Sequence, residues 1–318
     1  MKRTVAAIDC GTNSIRLLIC DLDTERNSLT DLAREMRIVR LGEGVDFTGR
    51  LAPAALDRTM AALGEYAEMI RRLAPQALPE QAVRMVATSA TRDAENSEEF
   101  ASRVKEVLGI TPEVVTGEEE ARLSFTGATG ELGGASAPYL VADIGGGSTE
   151  LVLGDASAVR GGRSVNIGCV RMTERHLHGD PPTSREVAAA TADIDAALDD
   201  GARGNFGAGE SAGRARTLVG LAGSVTTVAA IALGLAEYDS RRIHHSRVRA
   251  EQVHQISVQL LGQTRARRAA IGAMHPGRVD VIGAGALILD RIMAKFGFAE
   301  VLVSEHDILD GIAWSLAT

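Results

Sequence analysis

Two stretches decide the fold: AIDCGTNSIRLLI at Ala7–Ile19 and VADIGGGSTELVL at Val141–Leu153. Each runs from a short apolar segment ending near an aspartate, through a loop of glycine and hydroxyl residues, into a second apolar segment. Each therefore reads as strand, turn, strand. Laid over one another, they pair Asp9 with Asp143, Gly11 with Gly145, Ser14 with Ser148 and Leu17 with Leu151 at one constant offset. Such a repeat predicts two copies of one supersecondary unit, which would bring two similar loops face to face across a cleft.

Working outward from the first copy, a third strand is expected near Leu32–Leu41. A helix follows over Pro53–Leu73, with Leu56, Met60, Leu63, Ile70 and Leu73 at helical spacing, Pro53 opening it and Pro75 closing it. Val83–Ala87 reads as a strand, Ser97 as the cap of a helix that Gly109 ends after Leu108, and Glu113–Val115 as a short strand. Beyond the second copy, helices are expected at Ser184–Leu198, Glu251–Leu261 and Val279–Phe296, then a strand at Glu300–Ser304 and a helix at Ile308–Ala317. The run DDGARGNFGAGESAGRA at Asp199–Ala215 reads as a mobile surface loop. The result is an α/β chain of two domains, 1–127 and 128–304, with a C-terminal helix at about 305–318 expected to pack back on the first.

Composition supports that division, since 318 residues with 45% hydrophobic content give each domain a core of its own. A formal charge of −8 argues against a nucleic-acid partner, because phosphate-backbone affinity needs a broadly basic surface. A polyanionic substrate must then be held locally. Cys10, Cys20 and Cys169 are too few and too scattered for a disulfide framework or a zinc site, which points to the reducing cytoplasm. Asp9 interrupts the apolar start before an export signal can form. The uncharged stretch Thr217–Ala236 is long enough to cross a bilayer, but Gly220, Gly223, Ser224, Thr226 and Thr227 suit a buried strand, a glycine turn and a buried helix better. No membrane association is expected.

The chemistry concentrates in DIGGGSTE, Asp143–Glu150. Glycines without Cβ let successive backbone N–H groups converge on a phosphate, so Gly145, Gly146, Gly147 and Ser148 are candidate phosphate-binding residues. A tight hairpin whose glycines merely serve positive φ is the plain alternative. Recurrence of the same order of carboxylate, glycine and hydroxyl at Asp9, Gly11, Thr12, Asn13 and Ser14 makes chance a poor explanation of both loops. Asp9, Asp143 and Glu150 would repel a polyanion unless a divalent cation lay between them, and Mg²⁺ prefers such oxygen ligands. Turn capping for Asp9 and Asp143, and an exposed strand position for Glu150, are the structural alternatives.

The first loop resembles the phosphate-1 motif of actin-like ATPases, and the second resembles their phosphate-2 motif. Leu221, Ala222, Gly223, Ser224 and Thr226 resemble the glycine turn that faces adenosine in those proteins. ATSATRDAENS (Ala87–Ser97), TGEEEARLSF (Thr116–Phe125), DIGGGSTEL, NIGCVRMTERHL (Asn166–Leu177) and VIGAGALIL (Val281–Leu289) narrow the match. Taken in order, they resemble the exopolyphosphatase and guanosine pentaphosphate phosphatase (Ppx/GppA) family. Because the chain stops at Thr318, it is similar to the short form without a C-terminal helical domain.

The resemblance implies two ribonuclease-H-like (actin-like ATPase) domains with mixed five-stranded sheets flanked by helices and an interdomain cleft. It implies an Mg²⁺-dependent hydrolase, with Mn²⁺ as substitute, that releases terminal orthophosphate from polyphosphate, guanosine pentaphosphate or both, with shorter chains preferred. A monovalent cation and a homodimer are further expectations on which the residues are silent. By the same resemblance Asp143 and Glu150 hold the metal, with Asp9 acting directly or through water. Glu120 is the general base; Glu118 and Glu119 read as helix-dipole partners, though the sequence alone leaves Glu119 and Glu120 hard to separate. Arg92 contacts the substrate chain, or else pairs with Asp93 or Glu95. Arg16, aligned with Glu150, either reaches the cleft or forms a strand-edge ion pair. His244, His245, Arg265, Arg267 and Arg268 read as solvated surface. Two other functions are weighed. An ATP-dependent kinase of the same fold lacks support from any Walker A sequence. A catalytically silent regulator, binding a guanosine polyphosphate or assembling like actin, is disfavoured by the full set Asp9, Glu120, Asp143 and Glu150.

Overall fold

The structure, a computed structural model, describes residues 2–75, 82–132, 136–155, 158–203 and 215–317, with the backbone alone at 202–203. The chain divides into two compact units, one of Met1–Gly127 with Ile308–Thr318, the other of Ala128–Asp307. Glu305, His306 and Asp307 thus belong to the second unit.

In the first unit β1 (Lys2–Cys10), β2 (Ser14–Asp23) and β3 (Ser28–Ile38) form an antiparallel meander. β4 (Val83–Ala87) adds parallel to β1 and β5 (Glu113–Val114) parallel to β4, in the order β3-β2-β1-β4-β5. β1 is apolar without alternation because both of its faces are covered. Ala6, Ile8 and Cys10 pack with Leu56, Leu63, Phe100 and Val104 of the helices Pro53–Leu73 and Ser97–Leu108. Val5 and Ala7 pack with Leu309 and Ile312 of the helix Ile308–Ser315. That last helix is also tied by Arg34, whose Nη2 lies 2.6 Å from the buried carboxylate of Asp310.

The second unit repeats the order. β6 (Tyr139–Ile144), β7 (Thr149–Gly154) and β8 (Val159–Val165) are antiparallel, and β9 (Thr217–Leu221) runs parallel to β6. β10 (Arg247–Arg249) and β11 (Glu300–Val303) complete it, β11 parallel to β9 and β10 antiparallel to β11. Two ribonuclease-H-like sheets are therefore present, but the second has six strands rather than five. The extra strand buries only Val248 between exposed Arg247 and Arg249, a pattern too short and too charged to announce itself.

Other local expectations need correction. Asn96, not Ser97, precedes the helix Ser97–Leu108, and its side chain is spent on the backbone of Leu51, accepting from Leu51 N–H at 2.8 Å and donating to its carbonyl at 3.1 Å. The helix expected to stop at Leu198 runs over Ser184–Arg203, its last turns held by an ion pair between Asp199 and Lys295. The rest of the expected loop, 204–214, lies outside the described residues. The helix expected from Val279 starts at Ile282, after a 3₁₀ turn at Pro276–Arg278. Thr217–Ala236 divides into β9 and the helix Ala222–Ala232, and among the described residues no helix is long and apolar enough to cross a membrane.

Candidate active site

Both duplicated hairpins close in the same way. Gly11 N–H donates to the Ser14 carbonyl at 3.0 Å, and Gly145 N–H donates to the Ser148 carbonyl at 3.0 Å. In each loop the carbonyls are then drawn to one side. Thr12 O accepts from Gly42 N–H (2.9 Å), and Asn13 O accepts from Val39 and Arg40 N–H (3.1 and 2.9 Å). Gly145 O accepts from Cys169 N–H (3.0 Å), Gly146 O from Val170 N–H (2.9 Å), and Gly147 O from Arg171 Nε (2.7 Å). In a trans peptide the C=O and the following N–H point in opposite directions. The N–H groups of Asn13 and Ser14, and of Gly146, Gly147 and Ser148, are thereby turned away from their supports, the arrangement that suits anion binding.

The supports are part of the same duplication, which extends beyond the two hairpins. Val39-Arg40-Leu41-Gly42 follows β3 as Val165-Asn166-Ile167-Gly168 closes and follows β8, with Leu41 and Ile167 buried and a glycine against each loop. A Cβ on Gly42 would lie 2.3 Å from Thr12 Cγ2, and one on Gly168 would lie 2.3 Å from Gly146 O. The signal was legible as a second short repeat of apolar, polar, apolar, glycine.

Strand register fixes the acidic groups. Asp9 faces Arg16 across β1 and β2, whereas at the equivalent place Asp143 faces Glu150 across β6 and β7. Arg16 donates to Asp9 Oδ2 from Nε (2.9 Å) and Nη2 (2.6 Å), so of its two readings the strand-paired one is present. Asp143 and Glu150 are like charges on adjacent buried positions, 6% and 1% exposed, a juxtaposition that favours a cation beside them. Glu150 Oε1 accepts from Ser148 Oγ (2.8 Å) and from Ser164 Oγ (2.7 Å), the latter a β8 residue that the sequence did not single out. A hydroxyl has one proton to give. Ser148 spends its proton on Glu150, which leaves its backbone amide as the donor for an anion. Carboxylates and hydroxyls make an all-oxygen set, which suits Mg²⁺ and not a thiophilic metal.

In the first unit Thr12 and Ser89 share a buried hydroxyl contact at 3.0 Å, joining the loop to the short helix Ser89–Arg92. Arg92 donates from Nη1 to Val115 O and to Glu120 Oε2, both at 3.0 Å, so its partner is Glu120 rather than Asp93 or Glu95. The helix Gly117–Thr129 gives its three opening carboxylates different surroundings. Glu118 is exposed and paired with Arg122, Glu119 is half-buried and paired with Arg84, and Glu120 is buried. The helix Ser89–Arg92 thus carries both the Ser89 contact to Thr12 and the Arg92 contact to Glu120 in this unit, while in the second Ser148 and Ser164 meet at Glu150 with Asp143 opposite it in the sheet.

The Leu221–Ser224 turn bends sharply, with Ala222 at φ 64°. The Arg278 guanidinium packs on Gly223, donating to its carbonyl at 2.9 Å, and a Cβ there, 2.0 Å from Arg278 Cζ, would displace that side chain. Of the basic cluster read as surface, Arg268 is instead buried, 6% exposed, with Nη2 3.7 Å from Asp180.

The sequence pattern of the Ppx/GppA phosphatase family matches residues 20–318. Exopolyphosphatase 2 of Mycobacterium tuberculosis is 50% identical over 324 aligned positions that cover 98% of either chain. An exopolyphosphatase-like protein of known structure is 44% identical, with a TM-score of 0.90 over 98% of each chain. A Ppx/GppA protein of Aquifex aeolicus is 30% identical, with a TM-score of 0.81 over 100% of this chain and 98% of that one. Duplicated hairpins, the sheet order and these near-complete matches lead to one conclusion: the chain belongs to the Ppx/GppA phosphatase family.

Proposed function

We propose that this chain is an Mg²⁺-dependent exopolyphosphatase that releases terminal orthophosphate from inorganic polyphosphate, with guanosine pentaphosphate as a second substrate carrying the same terminal anhydride. The observation that carries this reading is the Gly145–Ser148 loop, whose three carbonyls are held back so that its amides face outward beside two buried carboxylates. The 50% identity to an exopolyphosphatase supports the choice of polyphosphate.

In this proposal the amides of Gly146, Gly147 and Ser148 grip phosphate oxygens, and those of Asn13 and Ser14 do the same in the first unit. Asp143 and Glu150 hold Mg²⁺, which when bound neutralises phosphate charge and steadies the leaving oxygen. Asp9, whose Oδ2 is taken by Arg16, acts through water. Glu120 accepts a proton as a water oxygen bonds to the terminal phosphorus and the bond to the bridging oxygen breaks. Arg92 stays at its side and meets the anionic chain.

Orthophosphate release from short polyphosphate, long polyphosphate and guanosine pentaphosphate, measured side by side with and without a chelator, tests the reading. Mg²⁺-dependent release from polyphosphate is expected, with Asp143→Asn reduced to background. Release that persists in chelator, or in Asp143→Asn, would sink it. Ser164→Ala removes one of two hydroxyl donors on Glu150, and outer hydrogen bonds of this kind are worth about 10- to 100-fold in metal affinity. The Mg²⁺ concentration for half-maximal activity should rise by that order, and an unchanged Mg²⁺ titration would show Ser164 to be idle.

A further inference from the structure

We propose that Glu131, His244 and His245 form a second cation site, for a borderline divalent transition metal such as Zn²⁺, in the second unit and apart from the carboxylates assigned to Mg²⁺. One ligand atom from each of the three lies within 4.8 Å of the others. His244 Nε2 is 3.4 Å from Glu131 Oε2, and His306 Nδ1 is 3.6 Å from the same oxygen. Charge-assisted hydrogen bonds between such groups close to about 2.7–2.9 Å. Ligands held about 2.0–2.1 Å from a tetrahedral zinc stand roughly 3.3–3.4 Å apart. The His244 Nε2 to Glu131 Oε2 spacing, a long hydrogen bond in the metal-free protein, is close to an edge of a coordination tetrahedron.

The backbone supports the same reading. His245 adopts a left-handed φ of 59°, a conformation uncommon outside glycine, and its N–H is fixed to Val303 O at 2.7 Å. This brings its ring against that of His244, with centroids 3.7 Å apart, while the His306 ring centroid stands 4.7 Å from that of His244. Imidazole nitrogen with one carboxylate suits Zn²⁺ and its neighbours in the first row, not Mg²⁺.

One contact opposes loading and also reports on it. His244 Nδ1 accepts the Glu305 N–H at 3.1 Å, which places the ring proton on Nε2, facing Glu131. Coordination through Nε2 shifts that proton to Nδ1 and gives up the Glu305 bond, with no net proton loss from the ring. The site is consequently a weak, exchangeable one. Its location gives it consequence: Glu131 stands just inside the point where the chain enters the second unit at Ala128, and His306 just before it leaves at Asp307.

The test is calorimetric titration of Zn²⁺ into chelator-stripped full-length protein, with Co²⁺ absorption as the measure of geometry and the Glu305 amide resonance as the local reporter. The variants are His245→Ala and Glu131→Gln, with Asp143→Asn and the exposed His254→Ala as controls. One Zn²⁺ per chain, a tetrahedral Co²⁺ spectrum, a shifted Glu305 amide and an affinity at least about 10-fold weaker in His245→Ala and Glu131→Gln are expected, with both controls like wild type. The proposal is overturned if wild type takes up no Zn²⁺, if His245→Ala and Glu131→Gln bind as wild type does, or if His254→Ala or Asp143→Asn removes the site. Mg²⁺-dependent phosphate release is measured separately, so loss of either reading leaves the other standing.

Discussion

Glu120→Gln is expected to lower the turnover of phosphate release by about 10² to 10⁴, the usual contribution of a general base, with a melting temperature near that of wild type. The substitution keeps shape and volume at a site only 7% exposed, and the amide oxygen still accepts the 3.0 Å hydrogen bond from Arg92 Nη1. What is lost is the group able to take a proton from water. Glu118→Gln and Glu119→Gln serve as internal comparisons, because exposed Glu118 pairs with Arg122 and half-buried Glu119 with Arg84. Ion pairs with a partner open to water contribute roughly 1 kcal/mol or less, and their removal should leave turnover within a few-fold of wild type. Near-normal turnover in Glu120→Gln, or a larger loss in Glu119→Gln, would transfer the role away from Glu120.

Gly168→Ala should damage the enzyme as severely through a single methyl group. Gly168 has φ −134° and ψ 161°, extended backbone that any residue adopts, so the cost is steric rather than conformational. An added Cβ would stand 2.3 Å from Gly146 O, 2.4 Å from Gly146 C and 2.5 Å from Gly147 N, all rigid backbone atoms of the Gly145–Ser148 loop. Either that loop shifts or the Gly168–Arg171 segment retreats. The second course breaks the hydrogen bonds from Cys169 and Val170 that aim the loop. Overpacking costs about 1–3 kcal/mol in stability, and displacing positioned donors by about 1 Å can cost 10²-fold in rate. A combined loss of kcat/KM above about 10²-fold is predicted, with a lowered but cooperative melting transition. Wild-type kinetics in Gly168→Ala would mean that the loop is not the phosphate-binding element.

These two residues also show how unevenly the sequence speaks. Glu120 lies in a motif, but nothing local distinguishes its surroundings from those of Glu119; burial does, and burial depends on which face of the helix Gly117–Thr129 meets the core. Gly168 lies in a quoted stretch too, yet its role depends on how closely the segment after β8 approaches a loop more than twenty residues earlier in the chain. Ser164 is more hidden still. It carries no motif, and it reaches Glu150 only through the β7 and β8 register.

By itself the sequence determined the duplicated hairpins, because strand, turn and strand are written in neighbouring residues and the constant offset from Asp9 to Asp143 repeats them. It also determined most helices and strands, where apolar spacing, Pro53 and Gly109 act over a few positions. Tertiary structure alone decided which charge partners form. Arg16 neutralises Asp9 in one sheet while Glu150 opposes Asp143 in the other, Arg92 turns to Glu120, and three histidines gather around Glu131. The physical reason is range: turn chemistry and periodicity act between near neighbours, whereas hydrogen bonds and ion pairs select partners by a few tenths of an ångström after distant segments have packed.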